Sequence, residues 1–202
     1  MGHYESFKQE CRLEIDAMGE DESLAVNTCK WFNSAHLNKY SYHFESLGRP
    51  IIQYPQDMVA MMELIWQIKP DLIIETGIAH GGSLIMNASM LALLDMCDAI
   101  EAGTSIDPSV SKRKVLGIDI DIREYNRSAI ESHPMSSRIQ MIQGSSTDKD
   151  IIEKVYEISE QYKTIMVSLD SNHTHEHVLA ELDAYAPLTS FNSYCIVFDT
   201  II

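Results

Sequence analysis

From about residue 70 onward, the chain alternates between two hydrophobic patterns. Short runs rich in Ile, Leu and Val are almost continuously apolar, which is typical of strands buried on both faces. The segments between them carry apolar residues at helical spacing. The apolar runs are 71–77, 114–121, 139–146, 164–171 and 193–202, and the helical segments are 83–102, 123–133, 148–162 and 174–188. This order predicts an α/β fold with a Rossmann-like, doubly wound, mostly parallel sheet.

The first part of the chain, residues 1–47, is more polar, and its helical spacing over 7–18 predicts a helical cap or an oligomerisation arm. Residues 48–202 are predicted to form the sheet domain. Aromatic side chains before that domain either pack the N-terminal segment onto it or line an apolar substrate mouth: Trp31, Phe32, Tyr40, Tyr42 and Phe44.

Two prolines, Pro50 and Pro55, predict an interruption of regular structure at the start of the sheet domain. Asp57 then occupies the position expected for the N-cap of a helix over 58–69. Pro70 ends that helix, because proline cannot continue the hydrogen-bond ladder.

Charge and composition restrict the class of partner. The chain has 30 acidic and 15 basic residues, so its formal net charge is −15, and its longest basic cluster is 112–114. Such a surface repels nucleic acid and anionic membranes. No apolar run approaches the roughly 18 residues needed to span a bilayer, and the N-terminus lacks a secretory signal pattern. We therefore expect a cytoplasmic protein without nucleic acid or membrane partners.

The residues that end each strand carry the chemical information, because ligands of such sheets bind beyond the carboxyl ends of the strands. The first strand runs into the turn E-T-G-I-A-H-G-G-S, from Glu75 to Ser83. Its glycines allow a tight turn and a close approach to a ligand, and the following helix offers free N–H groups. The spacing departs from G-x-G-x-x-G, and Glu75 would repel a pyrophosphate but could pair with a ligand ammonium group. Both features argue against an NAD-dependent oxidoreductase.

The later strand ends are polar as well. Asp119 lies where this fold hydrogen-bonds a ribose, although a helix N-cap or a solvated turn acid is the alternative. Ser146 could meet an adenine edge, or its segment could simply cap the next helix. Asp170 and Asp199 end the fourth and fifth strands, and neighbouring strand ends can bring them together around a hard cation.

Together these strand ends resemble class I S-adenosylmethionine-dependent methyltransferases. More narrowly, the chain from about residue 30 onward resembles the cephalosporin hydroxylase and rhamnosyl O-methyltransferase family. The stretches that carry this resemblance are 39–42, 47–57, 75–83, 169–173 and 197–200.

The resemblance implies an S-adenosylmethionine site and a divalent metal, usually Mg²⁺. The implied cofactor residues are Glu75, Gly77 and Gly81 at the methionine end, with Ser83 in the same turn, Asp119 at the ribose and Ser146 near the adenine. His80 either contacts the cofactor carboxylate or faces solvent. The implied metal ligands are Asp170 and Asp199. Phe198 stands where relatives often place another acid, so the implied metal site is one ligand poorer.

Three histidines follow Asp170 at alternating positions: His173, His175 and His177. Alternating positions share one face of a strand, but this segment begins a helix, where side chains two residues apart point in different directions. A zinc site is therefore disfavoured. His173 is the candidate general base near a substrate hydroxyl, with a capping or structural role as the alternative.

The sequence therefore predicts an S-adenosylmethionine-dependent, metal-assisted O-methyltransferase acting on a hydroxyl of a small molecule or sugar. The alternative is a non-catalytic cofactor-binding or accessory protein in a cephalosporin-hydroxylase-like tailoring system. Hydroxylase chemistry itself is disfavoured, because no 2-His-1-carboxylate triad is evident. Because the chain ends directly after the fifth strand, we expect the domain to lack the last strands of the fold. The exposed sheet edge and the N-terminal segment predict a homo-oligomer, most simply a dimer.

Overall fold

A computed structural model of the chain describes residues 2–200. Contacts divide them into one unit that ends at Ser41 and a second that begins at Tyr42. The first unit holds two helices, α1 (His3–Glu20) and α2 (Glu22–Leu37), which confirms the predicted helical character of the N-terminal segment. Within this unit Trp31 packs edge-on against Phe32 and Tyr40, with ring centroids 6.5 and 5.4 Å apart.

The second unit contains a small hairpin and a central sheet with its covering helices. Its elements, in chain order, are β1 (Phe44–Ser46), β2 (Arg49–Ile51), α3 (Pro55–Ile68), β3 (Leu72–Thr76), α4 (Gly82–Ala102), β4 (Lys114–Asp119), α5 (Glu124–Glu131), β5 (Ile139–Gln143), α6 (Lys149–Ser159), β6 (Ile165–Leu169), α7 (His175–Tyr185) and β7 (Cys195–Val197).

The central sheet has five parallel strands in the order β5-β4-β3-β6-β7. Strand order reverses at β3, since β4 and β6 flank it on opposite sides. The predicted Rossmann-like α/β class is therefore confirmed. The last predicted strand, 193–202, is shorter than expected and covers Cys195–Val197; Ile201 and Ile202 lie outside the described residues.

Both faces of the sheet are covered, which explains why the central strands are continuously apolar. Ile73 and Val115 point toward the cluster formed with α3 and α4, whereas Leu72 and Leu116 point toward the cluster with α6 and α7. Each is fully buried. Burial of one such side chain contributes about 1.5–3 kcal/mol, so the two clusters together hold the sheet in place.

Helix α4 corrects one expectation from the sequence. By length and composition it is apolar enough to cross a membrane, although no such run was expected. In the structure it is the central core helix of the domain: Leu84, Ile85 and Leu91 are fully buried against the sheet and its neighbours. An apolar helix of this length is therefore explained by burial inside the domain.

The proline-rich segment also differs from its prediction. Instead of an interruption, β1 and β2 form an antiparallel hairpin in which Pro50 lies opposite Glu45. A two-stranded ribbon tolerates proline, because one side of each strand makes no ladder hydrogen bonds. Pro55 begins α3, where its fixed φ suits the first helical turn. The predicted N-cap at Asp57 is wrong: Tyr54 is the N-cap, and Asp57 lies in the first turn.

Candidate functional site

The turn from β3 into α4, residues 77–82 (the glycine turn), lies at the carboxyl edge of the sheet. Gly77 has a φ of +88°, and its N–H donates to the Ile118 carbonyl at 2.8 Å. A Cβ at Gly77 would lie 2.0 Å from the carbonyl oxygen of Asp170. Only glycine therefore lets the turn approach the end of β6 this closely. Gly81, with a φ of +83°, is the N-cap of α4.

Asp119 fixes the glycine turn to the end of β4. Its Oδ2 accepts hydrogen bonds from the backbone N–H groups of Ile78 and Ala79 at 2.8 and 3.1 Å. Its Oδ1 accepts from the N–H of Asp121 at 3.0 Å. A carboxylate has about four acceptor positions, so these bonds leave room for one more donor.

A cleft of about 450 Å³ opens beyond the ends of β3, β4, β5 and β6. Three of the predicted cofactor residues line it, namely Gly77, Asp119 and Ser146, together with His173 and His177. We call this space the strand-end cleft. It lies where strand order reverses, which is where ligands bind in open α/β sheets.

A polar network closes one side of the strand-end cleft. His177 Nε2 lies 3.2 Å from Ser146 Oγ and 3.1 Å from Ser171 Oγ. Ser171 Oγ in turn donates to Oε1 of the buried Glu181 at 2.7 Å. From the sequence, His177 was considered only as a zinc ligand, and no contact with Ser146 was predicted. Its four-residue spacing to Glu181 on one helix face was the signal that could have found it.

Glu75 is buried at the end of β3 and points toward α4. Ser83 Oγ donates to its Oε1, and Asn87 Nδ2 donates to its Oε2 at 2.8 Å. Burial raises the pKa of Glu75 to about 7, against the lowering effect of these two hydrogen bonds. Asn87 Oδ1 is also buried and accepts no hydrogen bond within the described part of the chain.

Asp170 carries the other strongly shifted carboxyl group. Burial, followed by the charges of Asp199 and Glu75, raises its pKa to about 8, although Gln53 opposes this rise. Gln53 Nε2 donates to Asp170 Oδ2 at 2.7 Å. Burial and then Asp199 also raise the pKa of Asp57. Four acids, which we call the acidic cluster, thus meet at this edge: Asp57, Glu75, Asp170 and Asp199.

His173 lies beside two acids of this cluster. Its Nε2 is 3.3 Å from Asp199 Oδ2. Asp170, His173 and Asp199 each place one potential ligand atom within 4.8 Å of the others. The structure therefore brings together the two predicted metal ligands and the predicted base.

Two members of this region were missed by sequence reasoning. Gln53 and Asp57 line a small cavity between α3, α4 and the sheet, next to Glu75, Asp170 and Phe198. Both lie within the stretch 47–57, where Asp57 was predicted only as a helix N-cap and Gln53 contributed only to the family resemblance. Their role depends on how α3 packs, so no local pattern reveals it.

The same stretch supports the glycine turn from outside. Arg49 Nε and Nη2 donate to the His80 carbonyl at 3.0 and 2.6 Å, and Nη2 also donates to Asn126 Oδ1 at 2.9 Å. A Cβ on Gly82 would lie 2.3 Å from the Pro50 carbonyl oxygen, so glycine is needed for β2 to pass the start of α4. His80 thus contributes its backbone carbonyl to the site's support.

Comparison with known proteins identifies the family. The family described as Rhamnosyl O-methyltransferase/CmcI matches residues 38–202. The chain belongs to this family. The resemblance stated from the strand-end motifs is thereby confirmed.

A similar protein is the rhamnosyl O-methyltransferase of Mycobacterium tuberculosis (strain ATCC 25618 / H37Rv). It is 28% identical over 145 residues, which are 71% of this chain and 51% of that protein. The chain therefore spans about half the length of this relative.

Two solved structures share the fold. CmcI with Mg and SAM superimposes with a TM-score of 0.50 at 18% identity, covering 79% of this chain and 59% of that one. CalS11, a TDP-rhamnose 3′-O-methyltransferase of calicheamicin biosynthesis, gives a TM-score of 0.52 at 17% identity, covering 68% and 59%. At these identities the similarity establishes the fold of this family member.

Proposed function

We propose that this chain binds S-adenosylmethionine in the strand-end cleft and transfers its methyl group to a hydroxyl of a sugar or other small molecule. One observation carries the proposal. The glycine turn contacts the backbone of Asp170 so closely that a Cβ at Gly77 would not fit between them. A cofactor on the turn and a hydroxyl near the acidic cluster would therefore be neighbours, as methyl transfer requires.

The cleft supplies groups suited to each part of the cofactor. Asp119 has an acceptor position left for a ribose hydroxyl, and Ser146 with His177 forms the polar wall proposed for the adenine. At the methionine end, Glu75 and the unpaired Asn87 Oδ1 are acceptors that suit an ammonium group. Gly77 and Gly81 shape the turn, Ser83 orients Glu75, and the side chain of His80 is proposed to reach the cofactor carboxylate.

The acidic cluster fits a divalent cation, with Asp170 and Asp199 as proposed ligands. Their oxygen atoms lie close together, and within residues 2–200 no Lys or Arg forms an ion pair with either. Mg²⁺ accompanies SAM in the CmcI structure. A bound divalent cation would lower the pKa of a substrate hydroxyl.

His173 serves the hydroxyl end of the site, and two roles are chemically open to it. It can accept the hydroxyl proton, as the sequence predicts, or it can coordinate the cation. One nitrogen lone pair cannot do both at once.

A rhamnose-type sugar is the acceptor we propose. The support is the description of the family and the name of the mycobacterial relative. The direct test is methyl transfer from labelled S-adenosylmethionine to rhamnosyl acceptors. Calorimetry with S-adenosylhomocysteine and with NAD, each with and without Mg²⁺, tests the cofactor separately.

We expect S-adenosylhomocysteine to bind and NAD not to bind. Tight binding of NAD without S-adenosylhomocysteine binding would refute the proposal. Cofactor binding without methyl transfer to any hydroxyl acceptor would favour the accessory role instead.

We also propose a homo-oligomer whose interface includes the N-terminal helices. None of the residues of α1 is buried, and Phe7 and Leu13 are 55% and 64% exposed. Apolar side chains of this kind are stabilised by contact with another subunit. Sedimentation equilibrium should show an oligomer that Phe7→Glu and Leu13→Glu weaken, whereas the exposed control Glu10→Gln leaves it intact. A monomeric wild-type chain would refute this interface.

A further inference from the structure

The cation site of the proposed function contains donors of two kinds. Asp170 and Asp199 offer carboxylate oxygens, and His173 offers an imidazole nitrogen. Phe198, the residue before Asp199, lines the neighbouring cavity, and its side chain offers no donor atom. Among the His, Cys, Asp and Glu side chains of residues 2–200, this group therefore offers one oxygen each from Asp170 and Asp199 and one nitrogen from His173.

The spacing of these atoms suits one coordination shell. Two ligands that each lie about 2.1 Å from a common ion, roughly 90–105° apart, are separated by about 3.0–3.3 Å. His173 Nε2 and Asp199 Oδ2 are 3.3 Å apart. A ligand atom of Asp170 lies within 4.8 Å of both, so a small adjustment of its side chain brings it into the same shell.

Neighbouring groups orient two of the three donors. Gln53 Nε2 donates to Asp170 Oδ2 at 2.7 Å, which holds this carboxylate in place and leaves Oδ1 with both of its acceptor positions. Asn172 Oδ1 accepts the Thr174 N–H at 3.0 Å, which fixes the loop on either side of His173 before α7 begins. The side chains of His173 and Asp199 are 32% and 31% exposed, so an ion and its water ligands can reach them.

We infer that His173 is a protein ligand of the cation and that the site selects a divalent first-row transition metal over Mg²⁺. The inference rests on the proposed function only in assigning a cation to this cluster. Imidazole suits transition metals, whereas Mg²⁺ prefers a shell of oxygen atoms. As a ligand, His173 is a cation-binding residue and does not accept the substrate proton.

The first test detects the nitrogen directly. Mn²⁺ is added to the full chain, and electron spin echo envelope modulation is recorded for coupling to ¹⁴N. We expect imidazole-type coupling in the wild type, its loss in His173→Gln, and its retention in His175→Gln. His175 is a matched control because it is exposed at the first position of α7, two residues away.

The second test measures metal preference by calorimetry with Co²⁺ and with Mg²⁺. Nearly every protein site binds Co²⁺ more tightly than Mg²⁺, so the informative quantity is the change on substitution. His173→Gln should weaken Co²⁺ binding by about tenfold or more and Mg²⁺ binding much less. His175→Gln should change neither affinity.

Absence of ¹⁴N coupling in the wild type, or an equal loss of both metals in His173→Gln, would overturn the inference. Circular dichroism confirms that each variant folds. S-adenosylhomocysteine binding, measured on the same samples, separates this failure from that of the proposed function. Cofactor binding retained with no imidazole ligation refutes the metal inference alone.

Discussion

The two ends of the central sheet place their buried and half-buried acids in opposite electrostatic surroundings. At the amino end, Asp95 of α4 accepts hydrogen bonds from Arg113 and Arg138, and the side chain of Arg138 is 3% exposed. Burial alone would raise the pKa of Asp95, but the hydrogen bonds from the two arginines outweigh it and lower the pKa. Every charge of this network meets an opposite charge.

At the carboxyl end the acids are left without such cations. Burial raises the pKa of Glu75 to about 7 and that of Asp170 to about 8. Within residues 2–200 neither forms an ion pair with Lys or Arg. Strongly raised pKa values in a cleft are typical of functional sites. The acids at the carboxyl end, which lack the cations found at the amino end, therefore mark a candidate site for a ligand or cation.

The largest effect should come from breaking the ion pairs at the amino end of the sheet, which we call the paired end. Arg138→Ala removes an almost fully buried guanidinium and its packing and leaves the half-buried Asp95 with Arg113 alone, so we expect the free energy of unfolding to fall by about 3–5 kcal/mol. Urea denaturation measures this loss. Arg123→Ala is the control, because Arg123 is 62% exposed and solvent screens its pair with Asp121. Equal losses in the two variants would contradict the comparison.

At the carboxyl end of the sheet, which we call the unpaired end, removing an acid should raise stability instead of lowering it. The pKa of Asp170 in the folded state, about 8, exceeds its ordinary value of 3.8. Without metal, the contribution of Asp170 to stability is therefore fully present below about pH 4 and is lost as the pH rises toward 8. Asp170→Asn removes this loss, so it should be more stable than the wild type at pH 8, by on the order of 3 kcal/mol, and much less different at pH 4.

Thermal denaturation in EDTA at both pH values tests this. The exposed Asp183→Asn should show no such pH dependence relative to the wild type. Adding Co²⁺ should raise the stability of the wild type at pH 8, because a ligand that binds only the folded state stabilises that state. It should not raise the stability of Asp170→Asn. An Asp170→Asn variant that is less stable than the wild type at pH 8 would contradict the raised pKa of this acid.

A third substitution tests the cleft beside the unpaired acids. Asp119→Ala removes three hydrogen bonds from the turn region and the proposed ribose contact. We expect S-adenosylhomocysteine affinity to fall by about 1–3 kcal/mol. Calorimetry measures it, with Asp121→Ala as a control, since Asp121 contributes only its backbone N–H to Asp119. Unchanged affinity in a folded Asp119→Ala variant would remove this residue from the proposed site.

The smallest effect should come from the rim of the paired end. Asp98 also accepts from Arg113, at 2.8 Å, but its side chain is 45% exposed. Solvent screens this pair, so Asp98→Asn should cost less than about 1 kcal/mol of unfolding free energy. A loss as large as that of Arg138→Ala would show that exposure does not govern the network.

The sequence by itself determined the strands, their parallel arrangement and the acids at their ends. Period and composition specify a strand buried on both faces, and parallel strands must end at the same edge of a sheet. Asp170 and Asp199 could therefore be predicted to converge although they lie far apart in the chain. The need for glycine at Gly77 and Gly81 was equally local, because both adopt a positive φ.

Only the tertiary structure decided what surrounds those acids. Gln53, Asp57 and Arg49 reach the site because the hairpin and α3 pack against α4, an arrangement that requires Gly82 to lack a side chain. His177 meets Ser146 only when α7 is placed beside the end of β5. Burial, charge proximity and hydrogen bonding depend on distances between residues remote in sequence, and these distances set the pKa values that distinguish the two ends of the sheet.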